Sequence, residues 1–225
     1  MLYEQPIFGL KSGRTLRHEL LARMVKGSDV IEARDFVSGA ERDASITRID
    51  SWALGEAIRL AAGGTAVNVN VSMESLGPEL LNQIERQLQE AEADPANLVL
   101  ELKEAQLMED EERSRDLVWT LREIGVKVAV DQFGIGSGGL SYLRDLQATY
   151  LKINRDFVRD LRRNPASRHA IEAIVSPARR FGPVTIAVGV EDLATLQTLE
   201  ELGVDQAQGN ALQAPAPVAQ LERFA

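Results

Sequence analysis

The chain has 225 residues, 44% of them hydrophobic and 26% charged, which suits one folded domain with a sizeable core and excludes a disordered segment. Against 25 basic residues stand 34 acidic ones, and the net charge of −9 argues against a partner held mainly through nucleic-acid phosphates or anionic lipid. Cysteine is absent, so disulfides, zinc–thiolate centres and a thiol nucleophile are excluded. No apolar run reaches membrane length, and Glu4 breaks any leader-like pattern after Met1, so a cytoplasmic protein without membrane insertion is expected.

Residues 2–10 and 15–24 read as strands, and the short gap between them predicts an antiparallel hairpin. Residues 25–43 read as loop. Ile46, Ile49, Ala53, Ala57 and Leu60 recur at helical spacing before a strand at 66–72. Leu81, Ile84 and Leu88 mark the next helix, followed by a strand at 97–102. Leu117, Leu121 and Ile124 mark another, with Gly125 as its C-terminal cap, before a strand at 126–131. Further strands are expected at 149–154 and 184–190, and a weaker one at 205–212. Between these, the helical pattern of Ile171, Ile174 and Val175 should kink or end at Pro177. Leu193, Leu196, Leu199 and Leu202 form the last stripe, capped by Gly203. Strand–helix alternation on this scale predicts a parallel α/β fold; a (β/α)8 barrel and an open doubly wound sheet both fit the count. No internal repeat or linker divides the chain, so residues 1–225 are expected to form one domain.

Several strands carry polar residues where a buried stave should be apolar. Alternation puts Glu19, Leu21 and Arg23 on one face, Asn68, Asn70 and Ser72 on one face, and Glu101 with Lys103 on another. Asp131 closes its strand, and Lys152 sits between Leu151 and Ile153. Each residue taken singly reads as a strand end facing water. Five such ends converging on one mouth would instead form a cluster of carboxylates and amides with one ammonium, suited to a hard cation such as Mg2+ or Mn2+. The C-terminal mouth of a parallel barrel is where such a site belongs.

In their order and spacing these segments resemble the EAL domain, the cyclic di-GMP phosphodiesterase module of bacterial signalling. Tyr3-Glu4-Gln5-Pro6-Ile7 is similar to the family's YQPI opening, and Glu19-Leu20-Leu21-Ala22-Arg23 to its EALLR motif. Asn70-Val71-Ser72 matches NLS, and Glu101-Leu102-Lys103-Glu104 matches EITE imperfectly. Asp131-Gln132-Phe133-Gly134-Ile135-Gly136 is an altered DDFGTG, and Lys152-Ile153-Asn154 is close to KID. Gly189-Val190-Glu191 and Gln208-Gly209 with Pro215 resemble the closing motifs. The resemblance implies a TIM-like (β/α)8 barrel with an antiparallel first strand, and two-metal hydrolysis of cyclic di-GMP to pGpG. It implies Glu19, Asn70, Glu101 and Asp131 as ligands of one metal, Mg2+ or Mn2+. Lys152 and Glu19 become catalytic residues, Gln5, Leu21, Arg23 and Gln208 hold substrate, and Glu104 braces the loop after Asp131.

The resemblance also marks losses. The family's second Asp is Gln132, and the acid that opens its EGVE motif is Val188. Lys103 replaces a small Thr on the Glu101 face, where it either joins the site or snorkels to water. The Thr, Tyr and Ser residues of the family's loop are missing from Gly134-Ile135-Gly136-Ser137-Gly138-Gly139. That segment also fits G-x-G-x-x-G, but the intervening Asp131-Gln132-Phe133 weighs against a dinucleotide fingerprint. His18 is expected outside the barrel and His169 in solvent. Arg155, Arg159, Arg162 and Arg163, interleaved with Asp156 and Asp160, read as a charged surface. The expected function is a degenerate EAL domain that binds cyclic di-GMP or a protein partner with little or no hydrolysis, either with one Mg2+ or Mn2+ or metal-free. An active phosphodiesterase and a nucleotide-independent interaction module are the alternatives. Expected partners are cyclic di-GMP, a second copy in a homodimer, and sensory or GGDEF domains of a longer protein.

Overall fold

The computed structural model describes residues 1–27, 29–33, 45–134 and 144–218. Strand β1 (Leu2–Gly9) turns back into β2 (Thr15–Lys26), and the two pair antiparallel from Leu2↔Ala22 to Phe8↔Thr15. Gly13, at φ 62°, supplies the left-handed residue this turn needs. The far end of β2 continues into a second hairpin with β3 (Asp29–Glu32), in which Arg23 opposes Glu32. Parallel staves follow: β4 (Val67–Asn70), β5 (Leu98–Lys103), β6 (Lys127–Phe133), β7 (Tyr150–Ile153), β8 (Val184–Val188) and β9 (Gln206–Gln208). Each pairs with the next, β2 pairs parallel with β4, and β9 meets β1 antiparallel through Phe8↔Ala207 and Gly9↔Gln206. The sheet therefore closes into an eight-stranded barrel whose first strand is reversed, and the open-sheet alternative falls. A last short strand, β10 (Ala216–Pro217), lies along β1.

Seven helices surround the staves among the described residues: α1 (Ile46–Ala62), α2 (Pro78–Glu90), α3 (Glu104–Glu109), α4 (Glu111–Ile124), α5 (Arg155–Asp160), α6 (Pro165–Phe181) and α7 (Leu193–Leu202). Asp110, Asn164 and Asp192 cap the N-termini of α4, α6 and α7 through side-chain oxygens. Gly125 and Gly203, both left-handed, end α4 and α7 as their sequence positions predict. The main core lies between helices and staves, where Leu54, Ile84, Leu100, Leu121, Leu151 and Leu199 are fully buried. A smaller apolar layer, Ile7, Val99, Ala129, Tyr150 and Ile186, fills the inside of the barrel.

The structure corrects several expectations. Residues 29–32 form a strand inside the expected 25–43 loop; residue 28 and residues 34–43 lie outside the described residues, as do residues 135–139 of the glycine-rich segment. Strand β4 stops at Asn70, because Asp50 of α1 accepts both the N–H and the hydroxyl of Ser72, at 2.9 and 2.7 Å. Ser72 therefore serves helix docking and does not join its Asn neighbours inside the barrel. Helix α6 runs past Pro177 to Phe181. The acceptor that the proline leaves unpaired belongs to Ala173 on the exposed face, where water can satisfy it.

A candidate active site at the barrel mouth

Alternation along each stave turns Glu19 of β2, Asn68 and Asn70 of β4, Glu101 of β5, Lys152 of β7 and Gln208 of β9 inward. They meet above the inner apolar layer. Lys152 is 1% exposed, and its Nζ donates to Glu19 Oε2 at 2.8 Å and to Glu101 Oε2 at 2.5 Å. Asp131 Oδ1 stands 4.0 Å from the same ammonium. Glu19 also accepts from Gln208 Nε2 at 2.8 Å and from Asn70 Nδ2 at 3.0 Å, and Asn68 Nδ2 donates to Glu101 Oε1 at 2.8 Å. Underneath, Arg17 reaches Gln206 Oε1 at 2.9 Å and the Tyr150 hydroxyl at 2.6 Å, tying the polar cluster to the barrel floor.

These contacts set the charge states. Burial alone would raise Glu19, but the attraction and hydrogen bond of Lys152, with the Gln208 and Asn70 amides, hold it below the ordinary carboxyl range. Glu101 is pushed up to about 8 by burial and by the neighbouring Glu19 and Asp131 charges, which Lys152 only partly offsets. Burial opposes the charge on Lys152, yet three carboxylates outweigh it and keep the ammonium protonated well above its ordinary value.

Strand β6 carries a register shift between Val130 and Phe133, and Gln132 within it adopts φ 57°, a left-handed conformation unusual for a side-chain-bearing residue. This kink puts Gln132 on the wall between two cavities. The first, of 290 Å³, is lined by Leu21, Asn70, Glu101, Lys103 and Gln132 together with apolar residues of α1. The second, of 350 Å³, is lined by Glu19, Asp131, Gln132, Lys152, Arg155 and Val188 among others. Lys103 is half-buried in the first cavity, beside Asp131 in strand register, so it belongs to the mouth.

The polar strand ends thus converge as expected, while Gln208, Arg23 and Arg155 make contacts that the sequence did not foresee. Gln208 is 1% exposed; its Nε2 donates to Glu19, and its Oε1 is buried without a hydrogen-bond partner. Arg23 lies over the Tyr3 ring at 5.6 Å with Glu32 at 3.6 Å, because β2 extends into the β3 hairpin; it lines neither mouth cavity. Arg155 leaves the expected charged surface and lines the second cavity. Gln5 donates to the Gln213 carbonyl at 3.0 Å, at the rim. Glu104, buried, accepts the Gly134 N–H at 3.0 Å and so holds the end of β6. His18 lies outside the barrel, its Nδ1 2.7 Å from Glu4 Oε2, and His169 is exposed, both as expected. Asn68 went unassigned in the sequence, although its alternation with Asn70 carried the signal.

Glu19, Asn70, Glu101 and Asp131 offer hard oxygens and fit one divalent cation in kind. Their common focus holds the Lys152 ammonium, and among the described residues no three acids or histidines are arranged to grip a metal. Gln132 brings a neutral amide and Val188 no donor to the second cavity, where Glu19, Asp131 and Asp156 are the carboxylates.

A closed barrel with a reversed first stave and a carboxylate–lysine cluster at the C-terminal strand ends defines a TIM-like α/β class. Within it, residues 1–215 match the model of the EAL domain, and the chain belongs to that family. It is 32% identical over 232 residues to the cyclic di-GMP phosphodiesterase NbdA of Pseudomonas aeruginosa, an alignment covering 99% of this chain and 30% of that protein. The PaMucR phosphodiesterase in its c-di-GMP complex shares 30% identity and a TM-score of 0.91 over 98% of this chain and 93% of that one. The FimX EAL domain of Pseudomonas aeruginosa bound to c-di-GMP shares 26% identity and a TM-score of 0.89, covering 96% and 90% of the two chains. The chain spans less than a third of the length of the first curated relatives it matches. Among the described residues no helix is long and apolar enough to cross a membrane.

Proposed function

We propose that this chain is a cyclic di-GMP-binding EAL domain, one module of a longer signalling protein, with little or no hydrolytic turnover. The observation that supports the reading is the second cavity, lined by Gln132 and Val188 at positions where the resemblance implies acids. A divalent cation held by Glu19, Asn70, Glu101 and Asp131 would polarise one phosphodiester and lower the pKa of its water. The chain's own groups act without it. Lys152 presents a buried ammonium beside the reacting region, while Gln208 and Asn70 fix the orientation of Glu19. Leu21 and Gln5 remain on the rim to hold a base. An active phosphodiesterase is the second reading, favoured by the five retained residues Glu19, Asn70, Glu101, Asp131 and Lys152.

Purified protein incubated with cyclic di-GMP and excess Mn2+ is expected to yield pGpG far more slowly than about 1 per second, the low end of ordinary enzymes. Calorimetric titration in EDTA is expected to detect cyclic di-GMP binding. Turnover at or above that rate replaces the reading with the phosphodiesterase. No binding at high micromolar ligand, in either EDTA or Mn2+, replaces it with a nucleotide-independent module.

A further inference from the structure

Positive charge at the mouth is not confined to Lys152. Lys103 lines the first cavity beside Asn70 and Glu101, and Arg155 lines the second beside Asp131 and Val188. Arg155 opens α5, where Asn154 Oδ1 accepts the Asp156 N–H at 2.8 Å and fixes the local backbone. Its stem packs on Gly189, where an added Cβ would stand 3.2 Å from Arg155 Cβ. Asp156, the adjoining acid, is drawn away to Arg159 at 3.2 Å. Among the described residues the Arg155 side chain makes no hydrogen bond or ion pair. An unpaired guanidinium therefore stands next to the apolar Val188, on the wall where the family resemblance expects an acid.

We propose that Arg155 is a phosphate ligand for the bound nucleotide, acting with Lys103 across Gln132, so that side-chain cations supply the positive charge there. The inference rests on the proposed nucleotide binding and deepens it. Lys103, Lys152 and Arg155 stand among Glu19, Glu101, Asp131 and Asp156, the last of them paired with Arg159, so these cations offset much of the acid charge that a doubly anionic ligand meets there. The two positions suit different work. A guanidinium can grip two phosphate oxygens through parallel hydrogen bonds, whereas Lys103 acts as a point charge.

Calorimetric titration of cyclic di-GMP into wild type, Arg155→Ala, Arg155→Lys and Lys103→Thr, in EDTA and again in Mn2+, tests the proposal. In EDTA, Arg155→Ala should weaken binding roughly tenfold to hundredfold, the usual loss of a hydrogen bond to a charged group. Arg155→Lys should fall between it and wild type, because charge survives and the fork does not. Lys103→Thr should bind more weakly in EDTA and recover affinity on adding Mn2+. Arg155 is exposed, so its variants should melt with wild type. If Arg155→Ala binds as tightly as a wild type that does bind, the phosphate-ligand role falls and the proposed function stands. If wild type itself fails to bind in either buffer, both fall.

Discussion

Glu19 and Glu101 share a single ammonium, and Lys152 cannot fully match two buried carboxylates. The mismatch falls on Glu101. Its carboxyl is raised to about 8 from an ordinary 4.5, so the folded state prefers it protonated. A raised carboxyl pKa makes folding take up a proton between those two values. The resulting stability is complete below pH 4.5 and is lost as pH rises toward 8. Glu19, held low, loses its contribution only as pH falls below its ordinary range, and Lys152, held high, only in strong alkali. The window between 4.5 and 8 thus belongs to Glu101 within this cluster. Urea unfolding in EDTA should show the wild type losing up to about 1.4 kcal/mol per pH unit across it. In Glu101→Gln that loss should largely vanish. A wild type and variant with the same pH dependence would mean that Glu101 is ionised in the fold throughout.

At the scale of elements, the two positions where the resemblance implies acids sit on different staves. Gln132 occupies the kink of β6, and Val188 ends β8, where it pairs in register with Gln208. Both line the second cavity, so ligands restored there act on one volume. Gln132→Asp alone should leave cyclic di-GMP hydrolysis near background. Gln132→Asp with Val188→Glu should raise it by more than the product of the single effects, since site residues that work as a unit are non-additive. Steady-state pGpG formation by Gln132→Asp, Val188→Glu and the double variant decides this, and full activity in the single Gln132→Asp variant would refute the role given to Val188. Much of this architecture was legible in the sequence, because alternation grouped the polar residues on shared strand faces, the family resemblance gathered Glu19, Asn70, Glu101, Asp131 and Lys152 at one site, and the short gap at residues 11–14 predicted the hairpin. What escaped was set by contacts distant in sequence. Arg23 found Glu32 once β3 paired opposite it, and Ser72 was claimed by Asp50. Just past β8 and β9 the two backbones approach closely, since a Cβ on Gly209 would stand 2.2 Å from the Val190 carbonyl oxygen. Arg155 looked like its charged helical neighbours because its pattern on α5 says nothing of the cavity beneath it.

For the whole molecule, the decisive event is closure. Seven staves can assemble in chain order through neighbouring pairs, but β1 must meet β9 across almost the full chain length. Contacts of such separation form late, because loop-closure entropy is lost before they give any return. Without β1, β2 and β9 would each present an unpaired edge. Ile7 of β1 is fully buried in the inner layer with Val99, Ala129, Tyr150 and Ile186, so it reports on the closed barrel and on little that precedes it. Leu100 of β5 is equally buried but lies among neighbouring parallel staves. Both Ile7→Ala and Leu100→Ala should cost about 2–5 kcal/mol, as truncation of a buried aliphatic side chain does. Their kinetics should differ. If closure follows the rate-limiting step, Ile7→Ala accelerates unfolding and leaves refolding nearly unchanged, whereas Leu100→Ala slows refolding. Stopped-flow unfolding and refolding in urea separates the two. A refolding rate slowed as much by Ile7→Ala as by Leu100→Ala would place the first strand in the folding nucleus, with the barrel closing before its parallel staves are complete.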